Sequence, residues 1–445
     1  MIKFLTTLGR LSCAGLLAGA IVFAMPVVST FEFNQTTALA QSNDEKPKRK
    51  TRRTPAMREQ TFKRLEKAQE AQTLGDYEGA FAELAKLKRM RGKNSYETAM
   101  MYYYYAYIYY EQENYREAIE AYIQVSQQED LPMGFEDQVI YNISQLYFVI
   151  EDYRNSLLYL DRWFQFAESP GASQYIFKGQ AHYALGEFEK GIPPIETAIT
   201  MTEAAGREPK ENWYLLIRSA YYELGNMPRV RDILEIMVLK YEKAEYWLQL
   251  ASIYSELEQE ENQLATMEVA YKQGFLTKGN HLVNLAQLFL FGSVPIKAAL
   301  VMKEGFDLEL IEENKKNFDL FSQALIQSKE YADAVVPLEQ AAELSDDGEL
   351  YMRLGQVFME LDQWEKAVGA LVNGIDKGIR RSDTALLQLG QAYYNIEDLK
   401  NAEKTFRQAA KDKRSRNTAN NWISFLEREQ DRLKRLAEGL GTTGQ

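Results

Sequence analysis

The side chains that do nucleophilic or transition-metal chemistry are scarce in this sequence: two histidines, His182 and His281, and one cysteine, Cys13. His182 falls on an apolar helical stripe, where an imidazole is ordinarily a packed core group. His281 opens a helical stretch and has no second histidine at ligand spacing, so the pair makes no transition-metal donor set. No G-x-S-x-G turn, Walker loop or dinucleotide-binding glycine pattern occurs. The acidic pair Asp346–Asp347, within LSDDGEL, suits a turn and helix N-cap and lacks the alternating ligands of a calcium loop. The sequence offers no catalytic constellation, and no cofactor is expected.

It does offer chemistry for binding. Residues 100–110, MMYYYYAYIYY, hold seven tyrosines and no charge. Tyrosine combines a large apolar area with a hydroxyl and few rotamers to freeze, which enriches it where proteins grip one another. Amide side chains, which both donate and accept hydrogen bonds, recur along the rest of the chain. Whether either set converges depends on the elements that carry it.

Those elements show in a repeated phrase: LGDYEGAF at 74–81, QENYREAI at 112–119, LGEFEKGI at 185–192, SKEYADAV at 328–335 and LDQWEKAV at 361–368. In each, an aromatic residue precedes a small one by three positions, and a helix-period stretch comes before. Aligned on the phrase, ten units begin near Thr61, Ala99, Asp137, Ala172, Glu211, Ala244, Gly279, Lys315, Gly348 and Asp383, 33 to 39 residues apart. Ala68, Ala106, Ser144, Gly179, Ala251, Ala286, Ser322, Gly355 and Gly390 are the small residues at position 8. Position 20 holds Ala80, Ala118, Ala298, Ala334, Ala367 and Ala402. Arg218 breaks the pattern at position 8 of the fifth unit, so that pair is expected to be splayed.

The pattern resembles the tetratricopeptide repeat, a 34-residue helix–turn–helix, along nearly all of the chain beyond the N-terminal segment. The resemblance implies an all-α, tetratricopeptide-type helical solenoid: a right-handed superhelix of about ten helix pairs over residues 61–416, closed by a C-terminal capping helix and tail at 417–445. Such pairs cannot bury their apolar faces alone and must stack. Pro228 and Pro295 fall near helix starts, where a missing N–H costs little. Pro194 and Pro337 lie deeper and are expected to bend their helices.

In this register Tyr102, Tyr105 and Tyr109 are core positions. Tyr103, Tyr107 and Tyr110 form a neighbouring stripe that the resemblance places along a concave groove. Position 9, on the same face, reads Gln69, Tyr107, Gln145, Gln180, Ser219, Ser252, Gln287, Gln323, Gln356 and Gln391. Asn142 and Asn284 at position 6 add amides, and Tyr183 and Tyr222 add aromatics. A protein partner is the expected ligand, its extended backbone held by the amides and its side chains anchored on the tyrosines. The plainer alternatives are solvated amides and rings packed along the groove wall.

The N-terminus reads as a targeting segment. MIKFLTTLGR is a positive n-region, LSCAGLLAGAIVFAM an apolar core, and Ala38-Leu39-Ala40 a small-x-small cleavage signal. Residues 1–40 are therefore expected to be a signal peptide, removed together with Cys13; an uncleaved membrane anchor is the alternative. No other apolar run reaches the roughly 18 residues of a membrane span. Residues 41–60 follow as a basic linker arm, with six basic residues in the eight of KPKRKTRR (46–53). The net charge of −12 argues against a nucleic-acid-binding body. The arm could touch anionic headgroups or an acidic protein surface, or simply be solvated.

Four stretches outside the repeat signature carry a narrower resemblance: KPKRKTRRTPAMREQTFKRLEKAQE, VLKYEKAEYWL (238–248), QLASIYSELEQEENQLATMEVAYKQGFL (249–276) and LSDDGELYMRLGQ (344–356). They resemble exported tetratricopeptide proteins of Gram-negative bacteria encoded beside TonB–ExbB–ExbD transport clusters. That resemblance implies a periplasmic adaptor that docks TonB, ExbB or ExbD components and assists outer-membrane uptake. A scaffold for peptidoglycan or outer-membrane assembly would use the same features. An enzyme is not expected.

Overall fold

A computed structural model describes residues 55–441. The segments read as a signal peptide (1–40) and as the basic stretch 46–53, Cys13 included, lie outside the described residues. The described residues fall into two compact units, one ending at Tyr241 and the other starting at Glu242.

The first unit contains five helix pairs: α1 (Glu59–Thr73) with α2 (Tyr77–Arg89), α3 (Ser95–Glu111) with α4 (Tyr115–Ser126), α5 (Met133–Val149) with α6 (Tyr153–Phe166), α7 (Ala172–Ala184) with α8 (Phe188–Ala204), and α9 (Glu211–Glu223) with α10 (Met227–Tyr241). The second contains five more: α11 (Ala244–Glu256) with α12 (Glu260–Lys272), α13 (Gly279–Phe291) with α14 (Pro295–Asp307), α15 (Lys315–Gln327) with α16 (Tyr331–Glu343), α17 (Glu349–Glu360) with α18 (Trp364–Lys377), and α19 (Ser382–Asn395) with α20 (Leu399–Ala409). The long α21 (Arg416–Gly441) follows. Five first helices start on the residue expected from the repeat phrase, at 172, 211, 244, 279 and 315. In the first three units they start two to four residues earlier, and α1 takes in Glu59, which the sequence reading leaves in the linker.

One device closes every pair. In all ten intra-pair turns the chain reverses through a residue with positive φ, which is the second residue of the repeated phrase. The next N–H then bonds the carbonyl five residues back, as in Asp76 to Ala71, Glu187 to His182 and Glu330 to Leu325, at 2.8–2.9 Å. This is the Schellman arrangement, which satisfies carbonyls the helix end leaves open. Only three of the ten turns place glycine there, Gly75, Gly186 and Gly225; the others strain a side-chain-bearing residue such as Glu113, Lys329 or Glu397. Asp76, Asp152 and Asp398 then cap the second helix by accepting the N–H three residues on.

The small residues let paired helices approach. Ala68, Ala106, Ser144, Ala286 and Ser322 are fully buried. A β-carbon on Gly179 would meet Ile195 at 2.4 Å, one on Gly355 would meet Leu371 at 2.6 Å, and one on Gly390 would meet the Phe406 ring at 2.6 Å. The fifth pair carries Arg218 at position 8 and Val230 at position 20, and α9 and α10 are the most loosely joined pair of the ten. The next loosest is α11 with α12, where Gln263 stands at position 20. Bulk at the crossing holds these helices apart. The helices α8 and α16 run on through Pro193–Pro194 and Pro337. At the far end α21 lays Ile423 and Leu426 on the last pair, and Trp422 stacks on Phe406 at 5.2 Å. Among the described residues no helix is long and apolar enough to cross a membrane.

The first pair is anchored by a buried carboxylate. Glu97, in the first turn of α3, accepts hydrogen bonds from the Arg58 backbone and side chain, from Thr61 and from the Asn94 N–H, at 2.7–3.0 Å. Burial pushes its pKa up, but the Arg58, Thr61 and Asn94 hydrogen bonds outweigh that and hold it down to about 2.

Candidate functional site

The tyrosine run of α3 points in four directions, because this helix has neighbours on both sides. Tyr105 and Tyr109 face back onto Phe81 of α2, with ring centroids 5.7 and 4.9 Å away, and Tyr102 stands beside Tyr105 at 6.3 Å. Tyr103 faces forward, 5.5 Å from Tyr122 of α4 and 5.3 Å from Phe135 of α5. Tyr104, which packs against the core of the first pair, and Tyr107 are both partly buried. Tyr110 packs on Tyr115, the first residue of α4, at 6.0 Å.

Two groove assignments are thereby corrected. Tyr103 is 5% exposed and belongs to the core between pairs two and three. Burial, with a smaller contribution from Tyr104, pushes its hydroxyl up to about 12 against the hydrogen bond from Tyr122. Asn142 is also buried and hydrogen-bonds the Tyr122 hydroxyl. On α3 the neighbouring helices bury position 5, whereas on α5 they bury position 6 and leave the position-5 ring, Tyr141, half-buried.

Among the other expected residues, polar links join adjacent first helices. The Tyr104 hydroxyl donates to the Gln69 amide oxygen at 3.1 Å, tying α3 to α1. Glu111 accepts from Tyr107 at 2.7 Å and from the Gln72 amide at 2.6 Å, a second tie between the same helices. Burial first, and then the Glu111 carboxylate, raise the Tyr107 pKa, so the phenol stays a neutral donor. The Tyr183 and Ser219 hydroxyls lie 2.7 Å apart, joining α7 to α9, while the Tyr183 ring packs on Phe188. Tyr222 has only Met227 at the matching place in α10, and its ring is 45% exposed. Gln145 and Gln180 are half-buried on α5 and α7.

In the second unit Asn284, Gln287 and Gln323 are exposed, while Gln356 and Gln391 are half-buried. Arg353 pairs with Asp319 across α17 and α15. Of the ten position-9 residues, five belong to each unit.

Tyr104 is the functional candidate that sequence reasoning missed. It stands at position 6, the register that singled out Asn142 and Asn284, so the same alignment contained the signal.

His182 is buried, its Nδ1 2.9 Å from Glu187 within the same turn. His281 is half-buried, and its Nδ1 has no hydrogen-bond partner among the described residues. Burial first, then Lys278, push its pKa down. No group of three or more His, Cys, Asp or Glu side chains among the described residues is placed to hold a metal. The arrangement places rings and amides on the first helices, and the one histidine–carboxylate contact described, His182 with Glu187, joins a buried ring to its own helix turn.

Residues 65–130 and 352–420 match the family model of the tetratricopeptide repeat. The fold is a tetratricopeptide-type stack of helix pairs. Similar solved structures include YrrB, described as a TPR protein with an unusual peptide-binding site, at 16% identity over 43% of this chain and 96% of that one, TM-score 0.36. The TPR2AB domain of yeast Sti1, in a complex with pHSP90, is 14% identical over 59% of this chain and 99% of that one, TM-score 0.34. A tetratricopeptide repeat protein from Parabacteroides merdae is 14% identical over 60% of this chain and 99% of that one, TM-score 0.34. None of the curated proteins matches this sequence.

Proposed function

We propose that this protein is a non-catalytic adaptor that holds a protein partner on the face of its first helices, chiefly through Tyr104, Tyr107 and Tyr222 of the first unit. The observation that carries the reading is the pair of ties from Tyr104 to Gln69 and from Tyr107 to Glu111, which hold two partly exposed rings in place. Rings already fixed lose little side-chain entropy on binding, and tyrosines presented this way are frequent hot spots. Gln69, Gln145 and Gln180 supply amides beside them for a partner backbone.

The cellular setting is proposed from the sequence. The N-terminal segment supports export to the periplasm, and the stretches resembling exported proteins encoded with TonB–ExbB–ExbD support an accessory role in energised outer-membrane uptake. An envelope-assembly scaffold is the competing assignment, and partner identity separates the two. The test is Tyr104→Ala/Tyr107→Ala/Tyr222→Ala in the native host. The expected result is unchanged helicity and abundance, loss of co-purifying TonB, ExbB or ExbD, and poor growth only when iron or vitamin is limiting. Undiminished capture of the partner by the triple variant would refute the face. Capture of a cell-wall or outer-membrane assembly protein would keep the face and replace the pathway.

A further inference from the structure

The second unit carries a different feature on its second helices. A groove of about 570 Å³ runs between α14 and α16, with α15 as its floor. Its walls are apolar and open: Ile296, Leu300 and Val336 are 43%, 58% and 60% exposed. Below them Phe318 stacks on Phe306 at 5.0 Å, and Phe321 lies 5.8 Å from the same ring. An isolated exposed aliphatic side chain is ordinary on a surface. Three that converge from neighbouring repeats over an aromatic floor are not accounted for by folding.

The rim is acidic. Glu330 and Asp333 stand at the start of α16, while Asp307 and Glu313 stand at and just beyond the end of α14. The cation in this lining, Lys303, faces Asp307 at 3.8 Å. Glu313, Glu330 and Asp333 form no ion pair with any described residue. The lining on α14 runs from Ile296 to Asp307, which at 1.5 Å per residue is about 16 Å of groove, or three helical turns.

We propose that this groove docks a basic amphipathic helix of a partner protein, about three turns long, with its apolar stripe on Leu300, Phe321 and Val336 and its lysines or arginines over the acids. Charge complementarity selects the sign, and the paired helical walls select the shape, in the way an amphipathic helix seats in a groove. The chain's own stretch KPKRKTRR has the charge but no large apolar side chain to fill the floor. This surface is independent of the face proposed above.

The test is fluorescence anisotropy with the full chain and a labelled 15-residue helical peptide of leucines and lysines at helix spacing. We expect saturable binding that weakens with salt, falls at least tenfold in Leu300→Ser/Val336→Ser and falls similarly in Glu330→Lys/Asp333→Lys. Reversing two exposed acids elsewhere, Glu117→Lys/Glu120→Lys, should change it less than twofold. Equal loss in that control, or equal binding by the glutamate version of the peptide, would overturn the proposal. So would full competition by KPKRKTRR peptide, which assigns the site to charge alone. Concentration-dependent dimerisation abolished by Leu300→Ser would overturn it in favour of a second copy.

Discussion

The Tyr104 hydroxyl lies 3.1 Å from the Gln69 amide oxygen, so the first helices of pairs one and two are joined by a hydrogen bond. One residue earlier, Tyr103 points the other way and closes on Tyr122. Neighbours in sequence and identical in chemistry, these two side chains have different jobs, one partly exposed at a helix–helix tie and one buried.

Substitution separates those jobs. Tyr103→Ala should cost about 3–5 kcal/mol, as for other large buried rings, and Tyr103→Phe about 1 kcal/mol through its lost hydrogen bond. Tyr104→Ala should cost less than about 1.5 kcal/mol and act mainly on partner binding. Urea titrations of the three variants check this, and equal losses for Tyr103→Ala and Tyr104→Ala would contradict the division.

Two glycines should respond to alanine with opposite signs. Gly390→Ala forces a β-carbon to 2.6 Å from the Phe406 ring, and overpacking of this kind costs about 1–3 kcal/mol. Gly369, inside α18, has nothing within 4 Å of its added carbon and no positive φ. Gly369→Ala should stabilise by roughly 0.5–1 kcal/mol through helix propensity and the stiffer unfolded chain. Denaturant midpoints moving the same way in both variants would refute the close-approach account of position 8.

The turn device has its own test. Gly186 takes φ 74° with open space around it, so Gly186→Ala is opposed by backbone strain alone. The expected loss is about 1 kcal/mol, seen as faster amide hydrogen exchange localised to α7 and α8. Unchanged exchange there would mean the left-handed turn is not required.

Acid should loosen the first pair through Glu97. Its folded pKa, about 2, lies below the ordinary value of 4.5. The ionised form therefore stabilises fully above about pH 4.5, and that contribution is lost as the pH falls from there toward 2. Glu97→Gln should be about 2–3 kcal/mol less stable at pH 7, given several hydrogen bonds to one buried charge. It should also lack this part of the acid dependence. Parallel stability-versus-pH curves for parent and variant would contradict the assignment.

The helix array was legible because its markers are local: the small residues Ala68, Gly179 and Gly355, and a phrase in which an aromatic residue precedes a small one by three positions. The use of that left-handed turn by Glu113, Lys329 and Glu397 was not legible, since nothing in those side chains asks for positive φ. Burial of Tyr103 and Asn142 was misread because one register step on a helix flanked on both sides exchanges surface for core. The Glu97 anchor spans 39 residues to Arg58, and Arg58 reads in sequence as one more charge of a basic linker. The exposed trio Ile296, Leu300 and Val336 looks in sequence like any apolar helix stripe.

The most direct measurement is in-cell photo-crosslinking from a benzophenone amino acid at position 107, with position 122, a buried core site, as the control. Our account predicts a specific protein adduct from 107 and none from 122, with mass spectrometry naming TonB, ExbB, ExbD or an associated receptor. No adduct from 107 in abundant, folded protein would contradict the claim that the partly exposed tyrosines hold a partner.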